Sequence, residues 1–121
     1  MQDGQSRLYA IVFALGVAIA CVIPAILGHW IADGYLGYQY NTDDHMVYSA
    51  WMRQAMDGRF FFDNRFTLDA QPGLTVHVYF FVLGLIAKFL GIATTVTIAR
   101  ALLSGLFVWL AGGLKNRVVS D

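Results

Sequence analysis

The sequence predicts an all-α membrane protein with three transmembrane helices and an amphipathic interfacial helix in the loop between the first and second. Three observations lead there. Apolar and aromatic residues make up 58% of the chain and charged residues 13%, about half the share of roughly 25% found in soluble domains. So little charge cannot cover a water-facing surface. The apolar residues are gathered into three runs, residues 8–31, 74–92 and 94–114. The charge, by contrast, is concentrated in the stretch between the first two runs. The whole of 1–121 reads as a single membrane domain.

The first run, Leu8 to Ile31, contains no Asp, Glu, Lys or Arg. As a helix it would be about 36 Å long, against roughly 30 Å of hydrocarbon. His29 and Trp30 close it, and an indole favours the headgroup level. Pro24 lies in its last turns, where neighbouring helices can satisfy the carbonyl that proline frees. A cleaved signal peptide is the competing reading, with Arg7 as the charged start and Ala18-Ile19-Ala20 as a small-residue cleavage site. The apolar run continues well past Ala20 to Ile31, which favours a retained span.

Residues 32–73 form a long polar loop carrying Asp33, Asp43, Asp44, Asp57, Asp63 and Asp69. Asp33-Gly34 and the Gly/Tyr-rich stretch through Tyr40 predict turn and irregular chain. Asn41-Thr42-Asp43 offers side-chain oxygens to cap a helix running from about Asp44 to Met56, with Gly58 as its C-terminal stop. Val47, Tyr48, Trp51, Met52 and Ala55 fall on one side of that helix, and His45, Ser49, Arg53 and Asp57 opposite. Such a face suits either the membrane interface or packing on other helices of the protein. The following Arg59-Phe60-Phe61-Phe62-Asp63 suits a loop pressed onto the membrane surface or onto another domain, and Gln71-Pro72-Gly73 breaks the chain.

The second run, Leu74 to Ile92, is interrupted by His77 and Lys88, and the third, Thr94 to Leu114, by Arg100. A lysine near a span end can snorkel to the interface. With Gly91 as the turn, these two runs predict a tight helical hairpin. Gly84, Ala87 and Gly91, and Ala101, Ser104 and Gly105, lie at helical spacing and would let the two helices approach closely.

The charge balance, eight basic against eight acidic residues, excludes a basic footprint for nucleic acid. The lone Cys21 allows no disulfide within the chain. There is no phosphate-binding glycine loop, no His-Glu-x-x-His and no cysteine pair. Basic residues give a weak orientation signal. Arg53, Arg59, Arg65, Lys115 and Arg117 would lie on one side, with Arg7, Lys88 and Arg100 on the other, which favours the long loop inside.

The strongest candidate for chemistry is the adjacent pair Asp43-Asp44 at a helix start just after a membrane crossing. Three readings are open. The pair can cap the helix and interact with its dipole. It can hold a hard cation, Mg²⁺ or Mn²⁺, with His45 as a possible additional ligand. Or one carboxylate can act as general base toward an acceptor hydroxyl.

The order of features carries a resemblance. A first span is followed by Asn41-Thr42-Asp43-Asp44, then Tyr48-Ser49-Ala50-Trp51-Met52-Arg53-Gln54-Ala55, then Asp57-Gly58-Arg59-Phe60-Phe61. Asn64-Arg65-Phe66-Thr67 and Gln71-Pro72 come next, and then a span reading Tyr79-Phe80-Phe81-Val82-Leu83-Gly84 and closing on Leu90-Gly91-Ile92. Over residues 8–114 this resembles the N-terminal part of the GT-C superfamily of integral membrane glycosyltransferases, and most of all bacterial members related to protein mannosyltransferases and lipid A aminoarabinose transferases. The resemblance implies a polyprenyl-phosphate-linked sugar donor and an essential acidic residue in the first non-cytoplasmic loop, a role that falls on Asp43 or Asp44. It implies a base on the acceptor hydroxyl, or a metal ligand in the metal-dependent branches. It places the chain in a bacterial inner (plasma) membrane with the N-terminus cytoplasmic and residues 32–73 outside, against the basic-residue count. Arg53, Arg59 and Arg65 are the local candidates to contact the donor phosphate. Such enzymes have many more spans than this chain, so the resemblance implies a fragment that is inactive alone.

Two other functions compete. A small non-catalytic membrane scaffold or partner subunit would use the small-residue faces and the aromatic loop to bind another membrane protein. A transporter part would use His77, Lys88 and Arg100 along a transport path.

Overall fold

The computed structural model describes residues 2–33, 42–69, 73 and 75–118. The expected Gly34–Tyr40 turn region, the Asn41 cap and the Gln71-Pro72 break lie outside the described residues, as do the side chains of Lys115 and Arg117. The described chain is helical, in the order α1 (Gln2–Ile31), α2 (Thr42–Met56), α3 (Val78–Leu90) and α4 (Ile92–Val118). Extended pairing among the described residues is limited to one isolated antiparallel bridge between Phe62 and Thr75.

The chain divides into two compact units, residues 1–31 with 97–121, and residues 32–96. In the first, α1 and α4 pack through small residues. A Cβ placed on Gly105 would lie 3.3 Å from the Ala14 carbonyl oxygen and 3.3 Å from the Ala18 Cβ, and one on Gly112 would lie 3.7 Å from the Ala10 Cβ. Positions rising along α4 therefore meet positions falling along α1, so the two helices run antiparallel. Both α1, over Gly4–Ile31, and α4, over Ile92–Gly113, are long and apolar enough to cross a membrane. Ala14 is the one buried apolar residue of this pair among those described, while Leu8, Phe13, Ile19, Leu102, Phe107 and many others stand exposed. Exposed apolar side chains in such number suit a helix pair surrounded by lipid.

In the second unit α2 packs on α3. The stop predicted at Gly58 is formed: Gly58 adopts φ 82°, its N–H donates to the Ala55 carbonyl at 2.9 Å, and the Arg59 N–H donates to the Gln54 carbonyl at 3.0 Å. These two bonds satisfy carbonyls that the helix end would otherwise leave open. Gly84 of α3 is the point of closest approach: a Cβ there would collide with the Ala55 Cβ and come within 2.7 Å of the Met52 carbonyl oxygen. Met52 and Ala55 are correspondingly fully buried. The apolar face of α2 is thus spent on α3.

Several expectations differ from what forms. The run 74–92 is helical over only the 13 residues Val78–Leu90, about 20 Å against roughly 30 Å of hydrocarbon. Thr75 is drawn into extended pairing, accepting a 2.9 Å hydrogen bond from the Phe62 N–H. His77 keeps extended dihedrals (φ −126°, ψ 92°) at the helix start. The small residues expected to join α3 to α4 face other partners, Gly84 meeting α2 and Gly105 meeting α1. The loop phenylalanines are also divided: Phe62 is fully buried, while Phe60 and Phe61 remain exposed.

Gly91 separates α3 from α4. Its φ of 80° lies in the region that favours glycine, and its N–H donates to the Ala87 carbonyl at 2.8 Å. Its own carbonyl accepts from the Thr95 N–H at 3.1 Å and from the buried Thr95 hydroxyl at 2.8 Å. One residue thereby closes one helix and opens the next.

Candidate functional site

Asp43 and Asp44 occupy the first turn of α2 and both are exposed. A carboxylate there meets the free amide hydrogens and the positive end of the helix dipole. Consecutive helical residues project about 100° apart, so the two side chains leave the helix in different directions. Asp44 is seven residues before Trp51 and so lies within about 20° of it around the axis, on the face that packs on α3. Asp43 is rotated away, toward the flank that carries Gln54.

That face is built of stacked rings. Tyr48 lies parallel to Phe80, with centroids 4.6 Å apart and planes 14° apart. Trp51 stacks on His77 at 4.6 Å and 19°, with Phe62 further off at 6.2 Å and 13°, and Phe80 also contacts His77 edge-on at 5.7 Å. Offset parallel and edge-on pairs each add roughly 0.5–1.5 kcal/mol beyond the area they bury. The rings come from α2, the 59–63 loop and the start of α3, so they tie three separate stretches of chain together.

Gln54 provides the polar counterpart. It is 1% exposed, its Nε2 donates to the Asp63 carbonyl at 3.1 Å and its Oε1 accepts from the Asp63 N–H at 2.8 Å. A side-chain amide here pairs with both backbone groups of one loop residue, much as a neighbouring strand would. The adjacent bridge from Phe62 to Thr75 continues the same pairing. A Cβ on Gly73 would come within 2.9 Å of an Asp63 carboxylate oxygen and 3.1 Å of the Phe61 carbonyl oxygen, so the chain passes closely there.

The arginines do not converge. Arg53 is exposed near the end of α2, about 15 Å along the axis from Asp43. Arg59 forms an exposed ion pair with Asp63 at 2.9 Å. Arg65 is exposed in the loop that follows. Among the described residues, no three His, Cys, Asp or Glu side chains form a group that could hold a metal ion. Asp43 and Asp44 would suit Mg²⁺ or Mn²⁺ only as one or two ligands completed by water and a substrate phosphate, a common mode for Mg²⁺.

The sequence alone marks His77 as a break in the second apolar run and a transport-path candidate, and it gives Gln54 no role. The signal for Gln54 was its place at the edge of the apolar stripe, beside Val47 on the helical wheel. His77 carried no local signal, because its ring partner Trp51 is distant in sequence. No protein-family model matches the chain, and neither does any curated protein or solved structure.

Proposed function

We propose that this chain is the N-terminal portion of a membrane glycosyltransferase of the GT-C type, using a polyprenyl-phosphate-linked sugar and inactive without further spans. It would lie in a bacterial plasma membrane with residues 32–73 on the outer side. The observation that carries this reading is the exposed acidic turn of α2. It follows a membrane-length helix in sequence and stands on a helix fixed to its neighbour by close backbone approach and stacked rings. A base acting on an acceptor hydroxyl needs a carboxylate at the water boundary, held by a rigid support.

The helical register favours Asp44 as that base, since it shares a face with Trp51 and Tyr48, where a sugar or acceptor ring would meet aromatic surface. Arg53, Arg59 and Arg65 are left as peripheral contacts to the donor phosphate, with Arg59 already engaged by Asp63. A divalent cation, if used, would supply charge neutralisation at the donor phosphate, with Asp43 and Asp44 as its protein ligands.

The partner-subunit reading draws less support. Gly84 and Gly105, the centres of its small-residue faces, are used within the chain. Lys88 and Arg100, which motivated a transport path, are both exposed on their helices, and His77 is stacked on Trp51.

The test is sugar transfer from a polyprenyl-phosphate donor by the chain joined to its downstream spans, with Asp43→Asn and Asp44→Asn made separately. Loss of at least 100-fold in kcat for Asp44→Asn, with a smaller loss for Asp43→Asn, is expected on the scale of general-base catalysis, roughly 10²–10⁴-fold. Full activity in both variants sinks the assignment, and loss in Asp43→Asn alone reverses the choice.

A further inference from the structure

We infer that α1 and α4 are the two crossings, running in opposite directions through the bilayer, and that the chain between them, α3 included, makes no crossing of its own. The inference is independent of the glycosyltransferase reading and removes the second crossing, the one that hydropathy predicts over residues 74–92.

The first ground is direction. Three crossings would make α1 and α4 run the same way through the membrane. The contacts show the opposite: Gly105 meets Ala14 and Ala18, whereas Gly112, further along α4, meets Ala10, earlier in α1. The chain therefore leaves α1 at Ile31 and returns at Thr97 at the same end of the helix pair. Whatever lies between must begin and end on the same side.

The second ground is length. α3 has 13 residues, about 20 Å, and cannot lengthen at either end as it stands. Before it, Thr75 is bonded to Phe62. After it, Gly91 turns the chain at φ 80°.

The third ground is the surface of α3 itself. Leu83, Gly84 and Ala87 are buried, yet Val78, Val82, Leu85 and Phe89, on the opposite side, are 61%, 48%, 41% and 85% exposed. The helix is apolar all round apart from Lys88 in its last turn. That outer face is apolar without the length a crossing needs, so apolarity alone does not make α3 a span.

The experiment places single cysteines at Gln5, Thr67 and Ser120 of the full chain, in a Cys21→Ser background, and labels intact cells and inverted vesicles with a membrane-impermeant maleimide. Two crossings put Gln5 and Ser120 on one side and Thr67 on the other. Labelling of Ser120 together with Thr67 overturns the inference. Nitroxides at Val78 and Phe89 in phospholipid vesicles give a second readout, their depth measured with oxygen and a water-soluble nickel chelate. A depth difference well short of the helical rise is expected. A depth difference near the full helical rise between the two sites, about 16 Å, overturns the inference by making α3 a crossing helix. Glycosyl transfer is not among the readouts, so failure of the enzymatic reading leaves this test intact.

Discussion

Adding one methyl group at each of four helical glycines should change stability in an order set by the space each methyl enters. A Cβ at Gly16 meets nothing within 4 Å, and one at Gly112 meets only the Ala10 Cβ at an ordinary 3.7 Å. For these two, Gly→Ala removes backbone freedom from the unfolded chain and should stabilise by roughly 0.5–1 kcal/mol. At Gly105 the methyl would lie 3.3 Å from the Ala14 carbonyl and the Ala18 Cβ, so α1 must yield by a few tenths of an ångström. Gain and cost then nearly cancel. At Gly84 the new atom would collide with Ala55 and come within 2.7 Å of the Met52 carbonyl oxygen. Backbone cannot rotate aside as a flexible side chain can, so α2 and α3 must separate. Overpacking of this kind costs about 1–3 kcal/mol, which outweighs the propensity gain. The assay is reversible denaturation of the four alanine variants in mixed micelles, followed by circular dichroism and by tryptophan fluorescence. Gly84→Ala should be the least stable and Gly16→Ala or Gly112→Ala the most. A Gly84→Ala variant as stable as Gly16→Ala would refute the close approach of α2 and α3 on which the second unit depends.

Gln54→Leu should lower stability by about 1 kcal/mol, because it removes the partner of the part-buried N–H and carbonyl of Asp63. Hydrogen exchange at the Asp63 amide should accelerate selectively, and unchanged exchange there would count against the amide pairing. Removing the Arg59 side of its ion pair, by Arg59→Gln, should change stability by less than about 1 kcal/mol, as both partners are exposed and solvent screens them. A larger loss on denaturation would mean that Arg59 has another structural role.

What the sequence disclosed follows from how local each feature is. The α1 span needed only an unbroken apolar run, and it was legible. The helix around Trp51 and its stop at Gly58 depended on periodicity and one glycine, and these were legible to within two residues at the start. The second apolar run is helical over only part of its length because its opening residues are held by a partner far back in sequence: Phe62 pairs with Thr75, and Trp51 stacks on His77. Hydropathy reports how oily a stretch is, and it is blind to such pairings. The small residues were likewise recognised as packing sites, but spacing alone does not name the partner. The acidic pair was visible as a dipeptide, whereas the difference between its members emerges only once the register relative to Trp51 is fixed.

The distribution of restraints along α2 bears on how an acidic turn could serve as a base. Met52, Gln54 and Ala55, near its C-terminal end, are buried against α3 or bonded to the 63 loop. Tyr48 on Phe80 is the restraint nearer the acids, and it lies one turn beyond Asp44. The carboxylates are thus held at a distance, through the stiffness of a continuous helix, while remaining open to water. A base buried in the packed end would have to lose its hydration and would struggle to stay charged. A base on an unrestrained loop would lose the positioning that makes general-base catalysis efficient, where an ångström of displacement can cost two orders of magnitude in rate. Clamping one end of a short helix and presenting carboxylates at the other reconciles these two demands. Gln54 secures the packed end of the same helix: its bonds to Asp63 fix that end without placing a charge there.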